Sequence, residues 1–418
     1  MIARRTIIGS GFAGALAGVL PVPGLRGLAF AGLAAPLPIL VVVHLRGGCD
    51  GLNLVSPADD PTFIEARASD LRVAADGPTP GYELPNGPAP GIDFRLHAQA
   101  PGLAELYHGG QLAFIHAVGL SDGTRSHFVA TDMIEHGVAD AAGLSHVGTG
   151  WLARGLGGSR VRDPVAASAA GTPSNDLAGL PTALAVSDLG SGIGVAGGDP
   201  VGRMLGQIYA GTGGGSAEAG RRALAAIGTV EAHLARDAKQ KPLAYQPSKG
   251  VKYDGSGEFE RPLKTVAQLI KMEIGLEAAT VDLGGWDTHE YQAGRFRGQV
   301  AKLSSGLAAF WDDLAAYHDR LVIVTVTEFG RRLRSNRSAG TDHGRAGVMA
   351  VLGGRVRGGR FFGTWPGLAP EALDEGVDLK VATDYRQVLS ELIDYRAGKR
   401  LDGVFPGYRS PGPLGLVG

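Results

Sequence analysis

Apolar residues in this chain gather into short, nearly unbroken runs. Ile39 to Leu45 (ILVVVHL), Gln111 to Val118 (QLAFIHAV), Ala278 to Leu283 (AATVDL), Leu321 to Thr327 (LVIVTVT) and Val348 to Leu352 (VMAVL) are mostly apolar on both faces. That is the pattern of strands buried inside a mostly parallel sheet. Three-and-four spacing predicts the helices between them. Leu103, Leu106 and Tyr107 mark one over 97–108, and Leu224, Ile227 and Leu234 mark another over 217–237. A third covers 263–275, and Val300, Leu303, Leu307, Phe310, Trp311 and Leu314 share one face of a helix over 295–317. The last helix runs near 384–395, where Asp384 and Gln387 resemble a capping box. The predicted class is α/β, with a mostly parallel central sheet flanked by helices and a single domain over 36–418. Residues 155–255 are Gly, Ala, Ser and Pro rich and read as an irregular insertion, with the 217–237 helix as its lid or flank.

The order of elements sends chemistry-bearing residues to one edge of that sheet. The strand at 278–283, the helix after it and the strand at 321–327 form a right-handed crossover, so the two strands are parallel and their carboxyl ends coincide. Asp287 and His289 then emerge beside Glu328. The segment from Glu328 to Val348 has no apolar helical face to cross the sheet, so the next strand is expected to run antiparallel and to begin at the same edge. Asp342 and His343 lie just before it. Asp50 follows the first strand in a Gly-rich turn, and Ser126, flanked by Arg125 and His127, stands at a helix start. Taken singly, an Asp or Glu after a strand is a common cap and a lone His a common structural residue. Together they meet where open α/β sheets bind ligands. Carboxylates with imidazoles suit a divalent metal such as Zn, Mn or Mg. Ser126 has two readings, an N-cap or a nucleophile whose charge is held by the helix end and Arg125. Arg331, Arg332, Arg334 and Arg337 either receive an anionic substrate or form a solvated loop.

Composition narrows the class further. In 418 residues there are 40 Lys and Arg against 41 Asp and Glu, so total charge does not argue for nucleic acid as a partner. Cys49 is the single cysteine, which rules out an intrachain disulfide and a Cys-based metal cluster. The start, MIARRTIIGSGFAGALAGVL, places Arg4 and Arg5 before a soft apolar segment, and Ala29-Phe30-Ala31 offers a small-residue cleavage site. Residues 1–35 therefore read as a twin-arginine export signal, engaging that export machinery and leading to a periplasmic or secreted protein. No later run reaches the roughly 18 apolar residues of a membrane helix, so no stable span is expected in the mature form.

Four segments, LRGGCDGLNLVSP, TRSHF, GGWDTHEYQ and TEFGRRLRSN followed by TDHGRAG, resemble the exported DUF1501 proteins, and the likeness runs from about Ile39 to the C-terminus. That family is similar in fold to the alkaline phosphatase and sulfatase superfamily. The resemblance implies an alkaline phosphatase-like sheet and a site of one or two divalent metals. Asp50 would be the first ligand, Ser126 the nucleophile, Asp287 and His289 a metal pair, Glu328 the next carboxylate, and His343, preceded by Asp342, the last imidazole. Where the superfamily usually has a His, this chain has Phe329, so a second metal would lack a ligand or use His127. The sulfatase motif C-x-P-x-R is absent, since Asp50 and Gly51 follow Cys49. The implied function is a metal-dependent hydrolase of small anionic phosphate or sulfate esters. The alternative is an exported, non-catalytic binding or assembly protein on the same fold.

Overall fold

Strand β1 (Ile39–Leu45) is buried along its whole length, and its side chains alternate between two cores. Ile39, Val41, Val43 and Leu45 enter one, Leu40 and Val42 the other, as the period of two in a strand requires. The computed structural model describes residues 37–77, 79–157, 164–195, 197–253 and 257–418. The export signal expected over 1–35 lies outside the described residues.

Eight further strands extend this sheet among the described residues: β2 (Leu112–Gly119), β3 (Ala166–Ser168), β4 (Ala183–Ala185), β5 (Ala278–Leu283), β6 (Leu321–Val326), β7 (Gly347–Gly353), β8 (Phe361–Phe362) and β9 (Thr383–Asp384). The order is β8-β2-β7-β6-β1-β5-β3-β4, with β9 also paired to β2. β1 is parallel to both β5 and β6, whereas β7 is antiparallel to both of its neighbours, β6 and β2. Both relations follow the crossover reasoning above. The parallel sheet with one reversed strand is therefore the observed fold class.

The main helices are α1 (Pro101–His108), α2 (His127–His136), α3 (Trp151–Leu156), α4 (Gly198–Gly211), α5 (Gly215–His233), α6 (Glu260–Lys271), α7 (Gln292–Asp313) and α8 (Tyr385–Ala397). On one face of the sheet, Leu103 of α1, Leu263 and Val266 of α6 and Val300, Leu303 and Leu307 of α7 join the core of Val41 and Val43. On the other face, Met133 of α2, Trp151 of α3 and Leu389 of α8 join the core of Leu40 and Val42. Asp384 caps α8 through the Arg386 N–H, but Gln387 does not close the expected capping box. Its amide donates to the Gly412 carbonyl instead. The Gly-rich insertion contributes more than periodicity announces: β3 and β4 lengthen the sheet edge, and α4 pairs with α5. Their short length, and the glycines inside α4, hide them from a window reading.

A charged pair lies within the second core. His44 points to that face, and its Nε2 is 2.6 Å from Asp176 Oδ2, while the Trp151 indole donates to Asp176 Oδ1 at 2.6 Å. Arg46 and Glu135 pair beside them at 2.5 Å. Burial alone would push the His44 pKa down, but the Asp176 carboxylate outweighs it and leaves His44 raised. Burial likewise opposes the Asp176 carboxylate, yet His44 holds it below its usual range. The signs set a pH window. A lowered carboxylate contributes above its unfolded pKa, about 3.9, and loses that contribution as pH falls through the folded value. A raised imidazole contributes fully below its unfolded pKa, about 6.5, and loses it as pH rises through the folded value. Urea midpoints should therefore fall as pH is raised from about 6.5 towards 8.5, and the His44→Gln variant should show a flatter profile over that range. Parallel profiles would remove the pair from the account.

Candidate functional site

The turn after β1 is shaped by Glu328, which follows β6. Its carboxylate accepts from the Gly47 N–H at 2.9 Å and the Gly48 N–H at 2.9 Å. Gly47 has φ +117°, and a Cβ there would stand 2.5 Å from the Asp287 nitrogen. The loops after β1 and β5 thus touch through a position only glycine fills. Burial pushes the Glu328 carboxyl up, but His127 and these N–H groups overcome it and hold its pKa at about 2.

Arg331, three residues on, is fully enclosed. It donates to the carbonyls of Gly48 (2.8 Å), Gly47 (2.6 Å), Thr341 (3.0 Å) and Trp286 (3.2 Å), and to Asp287 Oδ1 (2.6 Å). One guanidinium so binds the loops after β1, β5 and β6 together. Its placement corrects the reading of four substrate-facing or solvated arginines: Arg331 is neither. Arg334 is largely exposed, beside Glu65.

Three imidazoles converge above this floor. His343 Nε2 lies 3.0 Å from His127 Nε2, 2.8 Å from His289 Nε2 and 3.3 Å from Asp287 Oδ1. Asp287 Oδ1 is also 3.1 Å from His289 Nε2 and 3.6 Å from His127 Nε2. The opposite nitrogens are oriented from outside. His343 Nδ1 faces the Arg125 carbonyl at 2.8 Å, His289 Nδ1 faces Asp342 Oδ1 at 3.1 Å, and His127 Nδ1 faces Glu328 Oε1 at 3.5 Å. A carbonyl or a carboxylate can only accept, so a neutral His343 or His289 carries its proton on Nδ1 and presents a lone pair at Nε2, whereas His127 Nδ1, 3.5 Å from Glu328, makes no hydrogen bond. Two such lone pairs at 2.8 Å with a carboxylate beside them repel unless a cation sits among them. A tetrahedral ion with Zn–N bonds near 2.0–2.1 Å sets ligand atoms roughly 3.3 Å apart; His127, Asp287 and His343 offer atoms all within 4.8 Å of one another, a set that a metal of that size suits, and His289 stands at its edge beside His343 and Asp287. Asp287 carries the anionic share. Burial pushes it up, but Arg331 outweighs that and holds its pKa at about 2.

The predicted residues separate into those that join and those that do not. Asp287, His289, His343 and His127 meet at the cluster. Asp342 stands behind it: its Oδ1 takes His289 Nδ1 and the Asn336 amide at 3.0 Å, and Asn336 also donates to the His289 carbonyl. That is the geometry of a group that aims a ligand rather than one that binds. Glu328 spends its oxygens on Gly47, Gly48 and His127. Asp50 is fully buried and engaged elsewhere, accepting from Arg67 at 2.6 and 3.0 Å and from Gln292 at 2.6 Å, and capping the helix Gly51–Leu54. The Arg67 guanidinium occupies the face of Asp50 that a metal would need, which corrects its reading as first ligand. Ser126 does sit at the N-cap of α2, exposed, yet its hydroxyl makes no capping bond. The Arg125 guanidinium turns to Asp378 at 2.5 Å. Its carbonyl, not its charge, serves the cluster. Phe329 packs its ring 4.8 Å from His127 and 4.7 Å from His343, and forms a wall of the cluster. Arg67 had no motif to announce it, and Arg331 and Asn336 lie in TEFGRRLRSN without any sign of their roles, because donors to backbone carbonyls leave no periodic trace.

Residues 217–391 match the family described as "Protein of unknown function (DUF1501)". The chain carries a DUF1501 segment. Its range takes in GGWDTHEYQ, TEFGRRLRSN and TDHGRAG, hence Asp287, His289, Glu328 and His343, while Asp50 and His127 precede it. None of the curated proteins compared matches the chain. Among solved structures, this chain is similar to the C-terminal periplasmic domain of EcEptC from Escherichia coli, in complex with Zn (8% identity, 76% of this chain and 73% of that one, TM-score 0.35). It is similar also to Ps i-CgsB (9%, 88% and 73%, TM-score 0.34) and to the PH0037 protein from Pyrococcus horikoshii (10%, 76% and 86%, TM-score 0.28). Overlaps of this size carry nothing about what this chain does. No helix among the described residues is long and apolar enough to cross a membrane.

Two substitutions probe the construction. Asp342→Asn should weaken Zn binding by about 10–100-fold without unfolding the protein, since removing an outer partner of a ligating imidazole has effects of that order; competition with a fluorescent chelator measures it. Arg331→Met should lower stability by about 1–3 kcal/mol, because it leaves the enclosed carbonyls of Gly48, Thr341 and Trp286 without their donor, and denaturant titration reads that loss directly.

Proposed function

We propose that this chain is an exported, metal-dependent hydrolase of phosphate or sulfate esters on an alkaline phosphatase-like fold. The observation that carries the reading is the gathering of the His127 and His289 Nε2 atoms about His343 Nε2 and Asp287 Oδ1, at 2.8–3.6 Å along the measured pairs, with the Nδ1 atoms of His343 and His289 turned to acceptors. His127, Asp287, His289 and His343 would hold one divalent cation, which when bound supplies Lewis-acid polarisation of an ester oxygen. The number of ions is one, since Asp50 is taken by Arg67, Glu328 by the Gly47 and Gly48 N–H groups, and Phe329 has no donor.

The remaining work falls to the protein's own groups. Ser126 is exposed and next in sequence to His127, and its hydroxyl would give up its proton to solvent as its oxygen attacks the phosphorus or sulfur and the bond to the alcohol oxygen breaks. The departing alkoxide takes a proton from solvent, and water later releases the serine ester. The first N–H groups of α2 face charge developing there. Asp342, Asn336 and the Arg125 carbonyl keep His289 and His343 in place. The apolar ring of Phe329 shields the cluster on one side. Arg4, Arg5 and the small-residue exit at Ala31 support export by the twin-arginine route.

A second reading, binding without turnover, is favoured by the closed Asp50–Arg67 pair. The two separate experimentally. Elemental analysis of protein refilled with Zn or Mn should give one ion per chain, falling sharply in His343→Ala. A panel of aryl phosphate and sulfate mono- and diesters should then show turnover that Ser126→Ala abolishes while metal content stays unchanged. Full metal occupancy with no turnover on the panel would select the binding reading, and absence of bound metal would sink both versions of the site.

A further inference from the structure

Two large apolar side chains of the described residues stand out by exposure, Phe128 at 86% and Tyr291 at 72%; the next is Met204 at 52%. Both flank the cluster in sequence. Phe128 follows His127, and Tyr291 is two residues after His289, so their Cα atoms lie within about 4 and 7 Å of those of the two histidines. Each of those imidazoles approaches His343 Nε2 at 2.8–3.0 Å, so Phe128 on α2 and Tyr291 just before α7 each stand next to a histidine of the same cluster. Exposed Ser126 adjoins His127 on its other side.

Neither placement is a by-product of folding. Phe128 sits in the first turn of α2, where the buried face is taken by Ala130, Met133 and Ile134. An alanine would serve that helix better. Tyr291 has φ +49° and ψ 43°, a left-handed backbone that a bulky residue rarely adopts. The conformation is held by the Tyr291 N–H on the Ser338 carbonyl and by Gln292 on Ala339, and strain of this kind concentrates at functional sites. An aromatic face left in water beside a cation site is suited to a flat apolar group whose charged end reaches the cation.

We infer that the substrate is an aryl ester, its ring stacked against Phe128 and Tyr291 and its anionic group at the cluster. This rests on the reading of the cluster as a cation site for an anionic ester. The test uses Zn-loaded protein and two non-hydrolysable probes, phenylphosphonate and methylphosphonate, titrated by calorimetry. Wild type should bind phenylphosphonate about tenfold more tightly, in line with the usual worth of an aromatic contact. Phe128→Ala, and Tyr291→Asn, whose side chain accepts the left-handed backbone, should each shrink that preference to about twofold while methylphosphonate affinity holds. Equal affinities in wild type, or a preference untouched by both substitutions, overturns the aryl assignment and leaves the ester reading standing. If neither phosphonate binds, the ester reading fails and this inference fails with it. Binding of anionic phospholipid vesicles that both substitutions abolish, without any aryl preference, would assign the two rings to a lipid surface and overturn the proposal.

Discussion

The site depends on one buried guanidinium. Arg331 joins the carbonyls of Gly47 and Gly48, Trp286 and Thr341 to the carboxylate of Asp287, so the loops after β1, β5 and β6 share a single fastener. Parallel strands leave their following loops side by side without hydrogen bonds between them, and a planar group with five donors supplies those bonds at fixed angles. A lysine could not span three loops in this way. The buried charge also explains the state of Asp287, which stays ionised in the structure beside three imidazoles because Arg331 holds one of its oxygens.

A second layer of polar contacts fixes the imidazoles themselves. Glu328, Asp342 and the Arg125 carbonyl each face one Nδ1; the first two come from the long connection between β6 and β7, the third from the loop before α2. Two separate segments are therefore needed to set the three rings. The convergence of Nε2 atoms therefore reports on the whole sheet edge, and it is the antiparallel return of β7 that brings His343 back to it. Had that strand been parallel, its start would lie at the opposite edge.

Much of this was legible in the sequence, and the part that was not has a common physical character. The strand runs at 39–45, 278–283 and 321–327 and the helix at 295–317 follow hydrophobic period, which reads burial directly. Asp287, His289 and His343 followed from topology once the crossover was seen. What escaped was the pairing of polar groups: that Arg67 neutralises Asp50, that Glu328 folds back onto two glycine N–H groups, and that Asp342 orients His289 from behind instead of joining the cluster. A carboxylate in the cluster and one behind it are the same residue type at the same edge, so only distance tells them apart. The short strands β3 and β4 were missed for a different reason. Three residues are too few for a period to show.

Phe329 gains meaning from the same geometry. A histidine there would extend a donor set toward Glu328, yet Glu328 is already consumed by the turn at Gly47 and Gly48, and Asp50 by Arg67. A cation placed among them would find no free oxygen on either carboxylate, while the aromatic ring instead fills the space beside Gly48, where a Cβ would come within 2.7 Å of it.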